Sequence, residues 1–252
     1  YGIFGYQIYT NGRLAASTAS NTQTWTANNI RQGAHTWFVK AVDQAGNVSS
    51  SNQWSFMVDR GAPAAPVLVS PANNSLTNAL NQVFTWNGVA DPSGIFGYQI
   101  YTNGRLAAAT ASNAQTWTAN NIRVGTHTWY VKAIDQGGNV SSSNQWTFIV
   151  DRTKPAAPAL VSPVNGALTN ALNQVFTWNT VTDTYGIFGY QIYTNGSLAA
   201  STASNTQTWT ANNIRQGTHT WYVKAIDQSG NVSSSNQWTF TVDRTAPTVP
   251  AL

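Results

Sequence analysis

The chain has 252 residues, of which 8% are charged, with a net charge of +4, no cysteine and no glutamate. Disulfides, thiolate metal sites and cysteine nucleophiles are thereby excluded. The cations are dispersed, as at Arg13, Arg31, Lys40 and Arg60, so there is no nucleic-acid footprint, and no apolar run is long enough to span a membrane as a helix.

The string GIFGYQIYTNG starts at Gly2, Gly94 and Gly186, a period of 92 residues at both steps. A unit of that length can bury its own core, unlike the shorter units of a solenoid. Tandem domains are expected: an incomplete sandwich at 1–60, full repeats at 61–152 and 153–244, and the start of a further one at 245–252. The first copy lacks the stretch that runs from Val69 to Pro92 in the second. Its apolar groove is therefore expected to face solvent unless a preceding piece of chain, or a strand from another chain, fills it.

The second copy gives the elements in order. Proline-rich DRGAPAAPVLVSP (Asp59 to Pro71) reads as a stiff linker running into an edge strand. NQVFTWN (Asn81 to Asn87) alternates, with Phe84 and Trp86 on one face. After the turn residues ADPSG (Ala90 to Gly94), the strand at Tyr98 and Ile100 runs into Asn103-Gly104, a strong hairpin signal. QTWTANNI (Gln115 to Ile122) follows. THTWYVKAID (Thr126 to Asp135) then sets His127, Trp129, Val131 and Ala133 inward and Thr128, Tyr130 and Lys132 outward. QGGNVSSSN reads as a loop, and QWTFIVD (Gln145 to Asp151) closes the repeat with Trp146, Phe148 and Val150 inward. About seven short strands separated by turn chemistry predict an all-β fold of antiparallel β-sandwiches. Trp86, Trp129, Trp146 and their copies are expected to be largely buried.

Several positions in this order resemble a fibronectin type III or bacterial Ig-like domain. They are Trp86, Tyr98-x-Ile100, Ile122-x-x-Gly125-Thr126 and Val131-x-Ala133-x-Asp135-x-x-Gly138-Asn139. The linker VDRTAP (Val242 to Pro247) is similar to those joining repeats in large bacterial surface proteins. The resemblance implies tandem seven-stranded sandwiches of an extracellular, cell-surface protein. It departs at His127, with His35 and His219, where such domains often carry a corner tyrosine. No RGD tripeptide is present, so integrin-type recognition is not implied.

Candidate chemistry is sparse. The histidines recur one per repeat and cannot share a metal within one chain; each is expected to tie a corner to nearby backbone. Serine is abundant without a Ser-His-Asp context, and no acid pair for hydrolysis is evident, so no catalytic residue is assigned. Asp135 is expected to form an Asx-type turn. No cofactor is expected, although linker aspartates such as Asp151 are candidate Ca²⁺ ligands despite the lack of a DxDxDG string. The outward rings form the candidate inter-chain or glycan contact face: Tyr9 with Phe38, Tyr101 with Tyr130, and Tyr193 with Tyr222. A local cross-strand pair is the alternative.

The sequence is read as a structural extracellular repeat protein, the body of a surface filament or sheath or the stalk of a large adhesin. It would act by mechanical spacing and self-association. Copies of itself and surface glycans are the expected partners, with no nucleic acid and no membrane insertion. The alternative is a carbohydrate-binding or spacer region of a secreted polysaccharide-degrading enzyme.

Overall fold

The computed structural model describes residues 2–250, and every regular element among them is a β-strand. The first repeat holds β1 (Ile3–Thr10), β2 (Arg13–Ala19), β3 (Gly33–Asp43), β4 (Val48–Ser50) and β5 (Trp54–Val58). The second holds β6 (Leu68–Ser70), β7 (Ser75–Thr77), β8 (Gln82–Trp86), β9 (Ile95–Thr102), β10 (Arg105–Ala111), β11 (Thr116–Ala119), β12 (Gly125–Asp135), β13 (Val140–Ser142) and β14 (Trp146–Val150). The third repeats that order as β15 (Leu160–Ser162), β16 (Ala167–Thr169), β17 (Gln174–Trp178), β18 (Ile187–Thr194), β19 (Ser197–Ala203), β20 (Thr208–Ala211), β21 (Gly217–Asp227), β22 (Val232–Ser234) and β23 (Trp238–Val242). Contacts divide the chain into two compact units, 1–70 with 84–117 and 129–146, and 71–83 with 118–128 and 147–252.

The second unit contains the whole third repeat, which is a sandwich of two sheets. One has the order β15-β17-β20; the other runs β16-β23-β21-β18-β19, with β22 also on β21. Period-2 alternation turns one face of each strand inward. Trp221, Val223 and Ala225 of β21 meet Tyr190 and Ile192 of β18, Phe240 and Val242 of β23, and Phe176 and Trp178 of β17. Phe176 is the pivot: its ring lies 5.3 Å from Trp209, 5.0 Å from Trp221 and 5.7 Å from Phe240, centre to centre. The Tyr190 hydroxyl reaches the rim, where it accepts the Val181 N–H at 3.2 Å. Burying the ring thus leaves its polar tip satisfied.

Two local devices fix the register. Asn195 and Gly196 both have positive φ, 51° and 79°, the conformation of a tight hairpin between Thr194 and Ser197. Gly189 sits beside an irregularity in the β18–β21 ladder, and a Cβ there would lie 2.5 Å from the Thr202 carbonyl oxygen of β19. The neighbour is backbone, so it cannot swing away. Gly189→Ala is therefore expected to destabilise the third repeat by about 1–3 kcal/mol, as overpacking does. Equilibrium unfolding of the variant checks this, and an unchanged midpoint would show that the strands part freely.

The first unit contains the first repeat and part of the second. Residues 3–58 form a single five-stranded antiparallel sheet, β2-β1-β3-β4 with β5 on β3. Its second-repeat strands repeat the third-repeat pairings: β6 on β8, β9 between β10 and β12, and β13 on β12. Phe84, Tyr98, Ile100 and Trp129 are buried there, with Phe84 edge-on to Trp129 at 5.1 Å.

Three details differ from the expected seven strands. The first strand is broken into two pieces on different sheets, β15 and β16, on either side of Pro163. Proline removes a ladder donor, and Gly166, with φ of 77°, turns the chain between them. The stretch read as a loop carries the short strand β22 (or β13), too brief to show a period. Finally, Trp146 and Trp238 are only half-buried, lying edge-on at the margin of Trp129 and Trp221, at 6.1 and 6.2 Å. In the first copy Trp37 and Trp54 are exposed, because no second sheet covers them among residues 2–60.

Candidate functional site

The outward rings stand on adjacent strands in direct register. Tyr9 faces Phe38, Tyr101 faces Tyr130, and Tyr193 faces Tyr222. Each pair is stacked with centres 4.8 Å apart and planes within 7° of parallel. Two residues beyond Phe38, Tyr130 and Tyr222 on their strands, Lys40, Lys132 and Lys224 lay their ammonium groups over the rings of Tyr9, Tyr101 and Tyr193 on the adjacent strands, at 4.8, 4.9 and 4.6 Å. The three hydroxyls donate to Gln7, Gln99 and Gln191 on their own strands. Most of the aromatic face is therefore engaged within the sheet, by stacking and cation–π attraction.

The histidines are corner ties. Nε2 of His35, His127 and His219 lies 2.7–2.8 Å from the carbonyl four residues back, at Arg31, Arg123 and Arg215. In His35 and His219 the other nitrogen, Nδ1, accepts from the Asn11 or Asn195 amide at 3.0 Å. Each ring also stacks on the phenylalanine of the last strand, Phe56, Phe148 or Phe240. These bonds use the imidazole as donor and acceptor, which fits the role of the missing corner tyrosine.

The aspartates are arranged differently from what the sequence suggested. Asp135 does form its turn, accepting the Asn139 N–H at 2.8 Å and the Asn139 amide at 2.9 Å. At the equivalent Asp43, the Asn47 side-chain amide holds the carboxyl below its ordinary value. Yet Asp135 also meets two further acids. Asp59 from the linker, Asp91 from the loop before β9, and Asp135 bring one oxygen each to within 4.8 Å of one another. Asp151, Asp183 and Asp227 do the same one repeat later. The sequence pointed to the linker acid and took the other two only as turn residues. The available signal was periodic: all three acids recur at the 92-residue step. Asn139 and Asn231 lock each cluster by donating to the linker carbonyls of Asp59 and Asp151, at 3.3 and 3.0 Å. Their side chains are thus committed, although both stand in N-x-S strings.

A third feature is a groove of about 800 Å³ on the bare face of the first repeat, lined by Ile8, Trp25, Trp37 and Phe56 among others. In the third repeat the equivalent face is covered by β17, whose Phe176 touches Trp209, Trp221 and Phe240.

Comparison with known proteins adds to this geometry. Residues 6–60 match the bacterial Ig-like domain family. Among solved structures, the fibronectin(III)-like modules of Clostridium thermocellum CbhA superpose with a TM-score of 0.56 at 16% identity, covering 74% of this chain and 100% of theirs. The fold is that of tandem fibronectin type III/Ig-like repeats. The array is also similar to chitinase A1 of Niallia circulans, 30% identical over 71% of this chain and 26% of that protein. Exoglucanase B of Cellulomonas fimi is 29% identical over 93% of the array and 22% of the enzyme. Exoglucanase A of the same organism is 26% identical over 93% of the array and 28% of its own length. The array thus spans about a quarter of the length of these relatives.

Proposed function

We propose that the array is a non-catalytic spacer in a secreted polysaccharide-degrading enzyme. The observation that carries this reading is the kind of protein in which its sequence recurs. Chitinase A1 and the two exoglucanases share similar segments over about a quarter of their lengths. The site geometry agrees with a spacer better than with a sugar-binding module. A platform for a glycan needs an open aromatic face, and Tyr101 and Tyr193 are stacked on a neighbouring ring and lie under a lysine ammonium. The same relatives draw weight away from the filament and adhesin readings of the sequence. An extracellular location follows from the spacer reading, because insoluble polysaccharide is met outside the cell.

The test is to mix the purified chain with insoluble chitin and cellulose, then measure depletion from solution, sugar release and sedimentation velocity. A spacer is expected to stay in solution, release no sugar and sediment as a monomer. Retention on either polysaccharide that is lost in Tyr101→Ser/Tyr130→Ser would make the array a binding module instead. Concentration-dependent assembly lost in the same variant would return the rings to an inter-chain role.

A further inference from the structure

We propose that Asn195 and Asn11 are sites of spontaneous deamidation that the corner histidines, His219 and His35, hold in check. Each asparagine precedes a glycine in an exposed hairpin turn, at Asn195-Gly196 and Asn11-Gly12. Asparagine is among the thermally labile side chains. The reaction needs no reagent but water. The Gly196 nitrogen bonds to Cγ of Asn195 and gives up its proton to solvent. The Cγ–Nδ2 bond then breaks, and the amide nitrogen takes a proton from solvent and leaves as ammonia. Water opens the resulting cyclic imide at either carbonyl, leaving aspartate or isoaspartate. The way to the nitrogen is open: glycine has no Cβ, and even one built on Gly196 or Gly12 would meet nothing within 4 Å.

The corner ties up both ends of the reacting amide. Oδ1 of Asn195 accepts the Thr220 N–H at 3.0 Å, and Nδ2 donates to Nδ1 of His219 at 3.0 Å. Asn11 makes the same two bonds, to the Thr36 N–H at 2.9 Å and to Nδ1 of His35 at 3.0 Å. The partners fix the proton positions. A backbone N–H can only donate, so the atom facing Thr220 is the oxygen and the one facing His219 is the nitrogen. Nε2 of His219 meets the Arg215 carbonyl, which can only accept, so the proton of the neutral ring sits there. Nδ1 is therefore a bare lone pair. Two effects follow. The amide is held toward β21 and away from Gly196, so ring closure must break both bonds. The imidazole also has no proton to give the departing nitrogen, so it cannot assist as a general acid. His219 is thus a positioning residue that acts on Asn195. The product would undo the corner: aspartate sets a carboxylate oxygen against the Nδ1 lone pair. Isoaspartate adds a methylene to the main chain inside the hairpin that fixes the β18–β19 register.

The test ages the full chain in mildly alkaline buffer and follows each Asn-Gly pair by peptide mass spectrometry. His219→Phe keeps a ring against Phe240 but removes Nδ1. Deamidation of Asn195 is expected to rise about three- to tenfold in this variant, the factor set by one net hydrogen bond. His219→Asn offers an amide oxygen at the position of Nδ1 and is expected to restore most of the protection. Asn165-Gly166 is the reference within the same repeat, because its Oδ1 accepts the N–H and hydroxyl of Thr239. Its rate is expected to match the wild type in both variants. An Asn195 rate unchanged or lowered in His219→Phe would overturn the proposal. So would equal acceleration at Asn165 and Asn195, which would mean that the substitution loosens the whole repeat. A rate in His219→Asn as high as in His219→Phe would also overturn it.

Discussion

Replacing Trp221 by alanine is expected to lower the stability of the third repeat by about 3–5 kcal/mol. The ring is fully buried and lies between Phe176 and Trp238, both edge-on to it at 5.0 and 6.2 Å. Truncation removes the largest side chain of the core and leaves a void that strands on two sheets cannot collapse to fill. A companion variant separates packing from polarity. The Trp221 indole Nε1–H is buried and makes no hydrogen bond. Phenylalanine at this position loses some volume but also removes an unsatisfied donor. Trp221→Phe is therefore expected to lose less than half as much as Trp221→Ala. Denaturant unfolding of the full chain, followed by near-ultraviolet circular dichroism, distinguishes them. Equal losses in the two variants would mean that the ring's volume is not what holds the repeat.

Phe176→Ala is expected to have a similar effect, again about 3–5 kcal/mol, for a different reason. Phe176 belongs to the smaller sheet, yet it touches Trp221 and Phe240 of the larger one. With Trp178, which meets Tyr190 of the larger sheet at 5.6 Å, it is one of the side chains that join the two layers. The first repeat displays the larger sheet uncovered: Trp54 is 66% exposed and Phe56 39%. In Phe176→Ala the equivalent rings, Trp238 and Phe240, should gain access to solvent, seen as stronger quenching of tryptophan fluorescence by acrylamide. A variant with wild-type quenching and stability would show that the layers are held together elsewhere.

Much of this fold is legible in the sequence because its signals are local. Asn195-Gly196 marks a hairpin by backbone conformation alone, and Trp221-x-Val223-x-Ala225 declares a buried face by period. The His219 tie was also readable, since its partner Arg215 lies four residues away. What stayed hidden depends on distant segments meeting. Nothing near Asp151 shows that Asp183 and Asp227 will arrive beside it, because their convergence requires the finished sandwich. The stacking of Tyr193 on Tyr222 followed from strand adjacency, but the lysine over the ring did not. Two short strands escaped for a simpler reason. Val232–Ser234 and Ala167–Thr169 are three residues each, below the length at which alternation carries information.

One of these short strands has a consequence for a linked array. β16 lies near the start of the third repeat and runs parallel to β23 at its end, with Ala167, Leu168 and Thr169 beside Phe240, Thr241 and Val242. Pulling the two ends of the repeat in opposite directions slides these strands along one another. Their hydrogen bonds are then loaded together in shear, and several must fail at once. An antiparallel hairpin pulled at its open end would instead unzip one rung at a time. Tension transmitted along the chain therefore meets its resistance at the point of entry to the repeat, before the aromatic core is disturbed.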